Sequence, residues 1–322
     1  MLKKQFTFLL TFFVATCSFQ ELPPEDQWKN HAVKIFQAFK ADLTAESSLE
    51  EMNAFAQSNF LRPRGQERSS PETIAHYKEL VGPLTLEEKV VVYKAFDALG
   101  DLKDVLPQNR KPDYILIMGS TAPSLRSRIM FLNRLVKEGH IVLQPTVRVV
   151  FLSGDRPLFP SETPEVLMSS APYEQQGEWV VPETLPQNEM DLPPFLWEQL
   201  KLTPPLSALE PLYVNAPKKD GAKRATTADT VEAFAHKYTP KTGHVLVISE
   251  NPFVTYQGLV TKMLFLQKGL KGFTFEAVGA IHRAKERPFY IRLGVLLDNF
   301  ARALYQRVAL KKVEGTSNNL KT

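Results

Sequence analysis

Four short segments hold most of the residue types that could do chemistry. The first is Gly119-Ser120-Thr121-Ala122-Pro123-Ser124, followed by Arg126 and Arg128. A glycine lets a ligand approach the backbone closely. Hydroxyls at a helix start sit beside free N–H groups and the positive end of the helix dipole, which favours an anion. Arginines in the first turn could fork onto phosphate or carboxylate. The same residues also read as an ordinary cap followed by a solvated basic helix face. The second segment is Ser153-Gly154-Asp155-Arg156. The third is basic, with Lys218, Lys219, Lys223 and Arg224, then Thr226, Thr227 and Asp229. A threonine there serves equally well as a helix N-cap. The fourth carries Ser249, Glu250, Asn251 and Thr255, where Glu250 offers a base or a ribose acceptor.

These segments matter only if the chain brings them together, and its periodicity says that it does. Tyr114 to Met118 is a short unbroken apolar run, as expected of a strand covered on both faces. A helix with Leu125, Ile129, Leu132 and Val136 on one face follows, then a strand at Val147 to Leu152. Strand, helix, strand at this spacing is a βαβ unit. Further strands are expected at Leu212 to Val214, His244 to Ser249 and Phe273 to Val278. Helices are expected at Thr227 to Tyr238, Phe253 to Lys268 and Pro288 to Val308. The fold class is therefore α/β, a doubly wound and mostly parallel sheet of about five strands. Each candidate segment follows a strand, where such sheets bind ligands.

An N-terminal helical region, residues 21–110, precedes the α/β domain at 111–310. About four helices are expected in it. Ser70-Pro71 is a start signal, Thr85 and Glu88 have capping-box spacing, and Gly100 is a stop. No chemistry is visible there. Residues 156–217 hold twelve of the chain's 24 prolines. Proline resists helix interiors and central strands, so this insertion is expected to be irregular apart from a short helix near Pro194 to Leu200. Lid and surface excursion are equally open readings of it. The tail, 311–322, is polar and expected to fray.

The first eighteen residues read as a secretory signal. Lys3 and Lys4 precede an apolar run from Phe6 to Val14, then the small residues Ala15-Thr16-Cys17-Ser18. The run is too short for an ordinary transmembrane helix. Two outcomes stay open: acylation at Cys17 as a lipoprotein, or cleavage near Ser18 to release a soluble protein. Either places the protein in the periplasm, free or anchored facing it. Cys17 is the one cysteine, so the chain can form no internal disulfide. A formal net charge of +4 over 322 residues does not suggest nucleic acid as a partner. The six histidines show no metal-ligand spacing, and no metal site is expected. GxGxxG, GxxxxGK[ST], GxSxG and HExxH are all absent.

Asp113 to Gly119, the helix with Arg126 and Arg128, and Phe151-Leu-Ser-Gly154 resemble the opening of the YdcF/SanA-like family, a domain of unknown function. There the second strand ends in Ser-Gly-Gly; here Asp155 replaces the second glycine. Glu189 matches an acidic residue that opens a helix in the family. Thr227-Ala228-Asp229-Thr230 resembles its threonine–acid pattern, and Val245 to Phe253 its late strand and loop. Many members carry a histidine and an arginine in that loop, where this chain has Phe253 and Tyr256, which puts any activity in doubt. The resemblance covers roughly residues 111–306. It implies a Rossmann-like pocket at the strand ends, with S-adenosylmethionine suggested as a ligand and envelope maintenance as a role for some branches.

The expectation is an extracytoplasmic, envelope-associated protein that binds an anionic, phosphate- or nucleotide-like ligand at the strand ends. An envelope precursor fits the compartment better than S-adenosylmethionine. The rival readings are a non-catalytic scaffold and a cytoplasmic S-adenosylmethionine-binding protein. The expected contacts are Gly119, Ser120, Thr121, Ser124, Arg126, Arg128, Ser153, Gly154, Asp155, Glu189, Thr227, Asp229, Ser249, Glu250 and Asn251.

Overall fold

The computed structural model describes residues 25–281 and 287–319. The signal-like segment and Cys17 lie outside them. Four helices come first: α1 (Glu25–Ala38), α2 (Leu49–Asn59), α3 (Pro71–Val81) and α4 (Leu86–Ala98). Their starts are written in the chain. Ser70 caps α3 with Pro71 at its first turn, and Thr85 with Glu88 forms a capping box on α4.

Five strands form one sheet, β1 (Tyr114–Met118), β2 (Arg148–Gly154), β3 (Leu212–Ala216), β4 (Gly243–Asn251) and β5 (Phe273–Ile281). All neighbours pair in parallel, in the order β3-β2-β1-β4-β5. This is a doubly wound, Rossmann-like α/β fold. Strand β1 is buried throughout, which explains its unbroken apolar sequence. Helix α5 (Ala122–Lys137) links β1 to β2 and packs on one face. Helices α9 (Thr227–Tyr238) and α10 (Val254–Gln267) cover the other. The order reverses between β1 and β4, and sheets of this kind bind ligands at the carboxyl ends of the strands beside such a reversal.

The proline-rich stretch is partly built into the fold, while residues 174–184 run mostly exposed. It is the β2-to-β3 crossover, folded as α6 (Pro164–Met168), a 3-10 turn at Glu189–Asp191, α7 (Leu192–Gln199) and α8 (Pro204–Ser207). Leu167, Leu192, Phe195, Leu196, Leu200 and Leu206 bury against the α5 face of the sheet. The prolines sit where they do least harm, near the starts of α6, α7 and α8.

The last helix, α11 (Phe289–Asn319), changes two expectations. The tail expected to fray from residue 311 is helical as far as Asn319. Leu310 packs into the core beside α10, and Lys262 pairs with Glu314 at 2.8 Å. The helical region is also not closed by its own four helices. Leu293, Leu297, Phe300, Ala301, Leu304 and Val308 of α11 recur at spacings of three and four and complete its core. Phe36 packs against Phe55, Phe60 and Phe300 at 5.6–5.9 Å between ring centroids. Gly294 lets α11 meet α3: a Cβ there would come within 2.3 Å of the Tyr77 ring.

Candidate functional site

The carboxyl ends of β1, β2 and β4 hold a buried charge network. Arg128 is 2% exposed and donates from Nη1 to the carbonyls of Met118 at 2.6 Å and Gly119 at 2.8 Å. Its Nη2 lies 3.5 Å from Glu250 Oε1. Burial lowers the pKa of this guanidinium, and Glu250 and Glu189 resist that shift. Arg156 donates from Nε to Glu189 Oε2 at 2.7 Å and from Nη1 to Glu162 Oε2 at 2.9 Å. Glu162 and Glu189 sit on either side of it and hold its pKa up against burial. Gly119 is required by this arrangement. A Cβ there would fall 2.4 Å from Glu189 Oε1 and 2.7 Å from the Leu152 carbonyl oxygen. Three side-chain polar atoms in this region are buried with no hydrogen-bond partner: Ser153 Oγ, Arg128 Nε and Arg156 Nη2.

The start of α5 differs from the expected open anion seat. The carboxylate of Glu162 already occupies it, accepting from Ala122 N at 2.8 Å and from Phe159 N at 2.8 Å. The chain thus supplies its own anion to the helix dipole. Thr121 is the N-cap but makes no side-chain cap bond, and Ser120 beside it is half-buried. Ser124 is buried on α5. Arg126 is 2% exposed and points at the crossover, not at a solvated basic face. It donates to Gln199 Oε1 at 3.1 Å and to the Leu167 carbonyl at 2.6 Å. With no carboxylate to oppose burial, its pKa falls to about 10.

The remaining expected contacts divide. Gly154 packs on Ala225, and Asp155 is half-buried with its N–H on the Ala216 carbonyl. Ser249 donates to Gln257 Oε1 of α10. Asn251 donates to the carbonyls of Gly100 at 2.8 Å and Lys103 at 2.5 Å, tying β4 to the segment after α4. Asp229 is a capping residue. It accepts from the N–H of Thr226 at 2.8 Å and from its hydroxyl at 2.7 Å. Burial opposes its ionisation, but Lys219 and Thr226 hold its carboxyl below the usual range. Thr227 lies in the first turn of the same helix, its carbonyl accepting from Thr230.

The sequence reading missed Glu162 and a second contributor altogether. The segment between α2 and α3 reaches the carboxyl edge of the sheet. Arg68 lies over the Phe253 ring, 3.9 Å from its centroid, just after β4. Glu67 lies 3.5 Å from Arg224, in the connection after β3. Strands β2 and β1 lie between β3 and β4, so Glu67 and Arg68 bridge loops from opposite sides of the crevice. Behind them Arg62 and Arg302 both bind Asp298, whose carboxylate is fully buried. Desolvation lowers the Arg68 pKa to about 10, and the nearby Arg62 adds to the effect. The spacing of Arg62, Arg64 and Arg68 in one interhelical loop was the available signal.

No family model, curated protein or solved structure matches the chain. Among the described residues, no group of three His, Cys, Asp or Glu side chains could hold a metal ion. No described helix is long and apolar enough to cross a membrane. A small cavity lies behind the β4 loop, lined by Trp28, Asp101, Pro252, Thr255, Asn299 and Arg307 among others. Burial pushes the Asp101 carboxyl up to about 7, against the pull of Arg307.

Proposed function

We propose that the protein binds a phosphate- or nucleotide-like ligand in the crevice between β1 and β4. The observation that carries this reading is the trio of buried, unpartnered polar atoms on Ser153, Arg128 and Arg156. Two of the three are guanidinium N–H groups, which can only donate. A buried donor left unpaired costs about 1–3 kcal/mol, so an oxygen-rich ligand is the matching partner. The ligand's charge does not sit beside them. Glu162, Glu189 and Glu250 already offset Arg128 and Arg156 there. Sugar hydroxyls or ester oxygens suit that inner position, with Glu189 and Glu250 as acceptors, and the phosphate belongs nearer the rim. Membership of the YdcF/SanA-like family is part of the same proposal, supported by the order of the strand-end motifs.

The compartment we propose is the periplasm, by virtue of Lys3, Lys4 and the apolar run before Cys17. Intact mass and cell fraction of the mature protein test that half: a full-length cytosolic product contradicts it. The ligand half is tested by thermal unfolding of the full chain with nucleotides, nucleotide sugars and sugar phosphates. A ligand at a hundred times its Kd adds about 2.7 kcal/mol to stability. Glu189→Gln should abolish that gain; a gain that survives the substitution removes Glu189 from the site.

A further inference from the structure

The structure assigns the loop between α2 and α3 as a phosphate clamp, with Arg68 and Arg224 as its two arms. This deepens the crevice reading and rests on it. Four guanidiniums, Arg62, Arg68, Arg224 and Arg302, gather where the helical region meets the crevice. Among the described residues, two carboxylates pair with them. Asp298 is shared by Arg62 and Arg302, each through side-chain contacts of 2.9–3.1 Å. Glu67 meets Arg224 at 3.5 Å, with both side chains about a third exposed. No described carboxylate lies within ion-pairing distance of Arg68; the face of Phe253 is its neighbour instead. Aromatic stacking holds a guanidinium in place while leaving its N–H edge free to donate.

The electrostatics point the same way. Arg62 and Arg224 both act on Arg68 as like charges, and Asp298 offsets them only in part. Holding a half-buried cation among other cations is unfavourable unless an anion completes the set. The excess of two positive charges matches a phosphate dianion. Planar guanidiniums offer such a group paired, in-plane N–H donors. In the inner network, by contrast, Arg128 and Arg156 are each paired with a carboxylate. Charge is therefore read at the roof of the crevice and polar oxygens at its floor. The helical region supplies the anion recognition, and the turn after β1 does not.

Inorganic pyrophosphate and phosphatidylcholine vesicles doped with phosphatidic acid are the probes, offered to the full chain. Binding is followed by calorimetry and co-sedimentation. Pyrophosphate binding indicates a free phosphate ligand, and binding to vesicles alone indicates a phosphate presented by lipid; each supports the clamp. Arg68→Gln and Arg224→Gln should each weaken binding about ten- to hundredfold, as loss of a charge-assisted hydrogen bond implies. Arg68→Lys should be intermediate. Arg64→Gln, an exposed arginine of the same loop, should bind like wild type. Near-ultraviolet circular dichroism confirms that each variant is folded. If Arg68→Gln and Arg224→Gln bind the probes normally, the clamp falls, and the crevice reading stands as long as nucleotide sugars stabilise wild type and not Glu189→Gln. Neither probe carries the sugar hydroxyls assigned to the inner network, so Glu189→Gln should bind both like wild type, and the crevice reading falls only if nucleotide sugars stabilise that variant as they do wild type. A wild-type chain that binds neither probe overturns the clamp.

Discussion

Replacing Glu162 with alanine tests the account of the site most directly. Its carboxylate is buried and accepts three hydrogen bonds, from Ala122 N, Phe159 N and Arg156 Nη1 at 2.8–2.9 Å. Alanine removes all three. It leaves Arg156 with one carboxylate instead of two and uncaps the start of α5. Breaking one side of a buried ion pair costs about 3–5 kcal/mol, and a lost helix cap about 1 kcal/mol. Glu189 still pairs with Arg156, so the expected total is about 3–5 kcal/mol and not the full sum. Urea unfolding followed by far-ultraviolet circular dichroism reads it as a lower midpoint with an unchanged slope. Glu162→Gln keeps one acceptor oxygen and should lose about half as much. Formate should partly restore Glu162→Ala, because the emptied position lies between a helix N-terminus and a guanidinium. A loss below about 1 kcal/mol, or equal losses for the two variants, would refute the claim that the chain carries its own anion at α5.

Ser153→Ala removes a buried hydroxyl that has no protein partner, so it should raise the unliganded protein's stability by about 1 kcal/mol while weakening ligand binding; a destabilised variant would show that the hydroxyl is satisfied before ligand arrives. Arg126→Ala cuts the links from α5 to the Leu167 carbonyl and to Gln199. Limited proteolysis should then cleave residues 156–217 several-fold faster, and unchanged cleavage would mean that apolar packing alone holds the crossover. Asp101 has a folded pKa near 7, above its unfolded value of roughly 4. Its protonated form is favoured in the native state, so its contribution is present below pH 4 and lost as pH rises through 7. Asp101→Asn should therefore flatten the decline in stability between about pH 4 and 7 and stabilise the protein at pH 8, by roughly 1–2 kcal/mol after solvent screening. An unaltered pH profile would contradict the assignment.

What could be read from the chain and what could not follow from the range of the interactions. The strands announced themselves because burial on both faces leaves a purely apolar run such as Tyr114 to Met118. Helix starts were legible because caps are local, within three residues at Ser70 and Thr85. The strand-end loops were legible because topology alone brings them together. The partners of buried charges were not. Arg126 and Arg128 lie two residues apart in the sequence, yet one serves the crossover and the other the carboxyl ends of β1 and β4. Glu162, forty residues beyond Ala122 whose N–H it accepts, carries no local mark. Arg68 reaches its place through an interhelical loop whose neighbour in space, Phe253, is far along the chain. Composition could have flagged the arginines of that loop, but not where they go.

The dependence of the first helices on α11 bears on how the chain must be made. Phe36, Met52 and Phe96 share a core with Phe300 and Leu297, which follow the whole sheet in the sequence. Until then the first hundred residues have an apolar surface and nothing to close it. Contacts that span so much of the sequence make ordering of this region slow. The core of the helical region is thus tied to the arrival of α11, while the α5 face of the sheet closes on residues that all precede it.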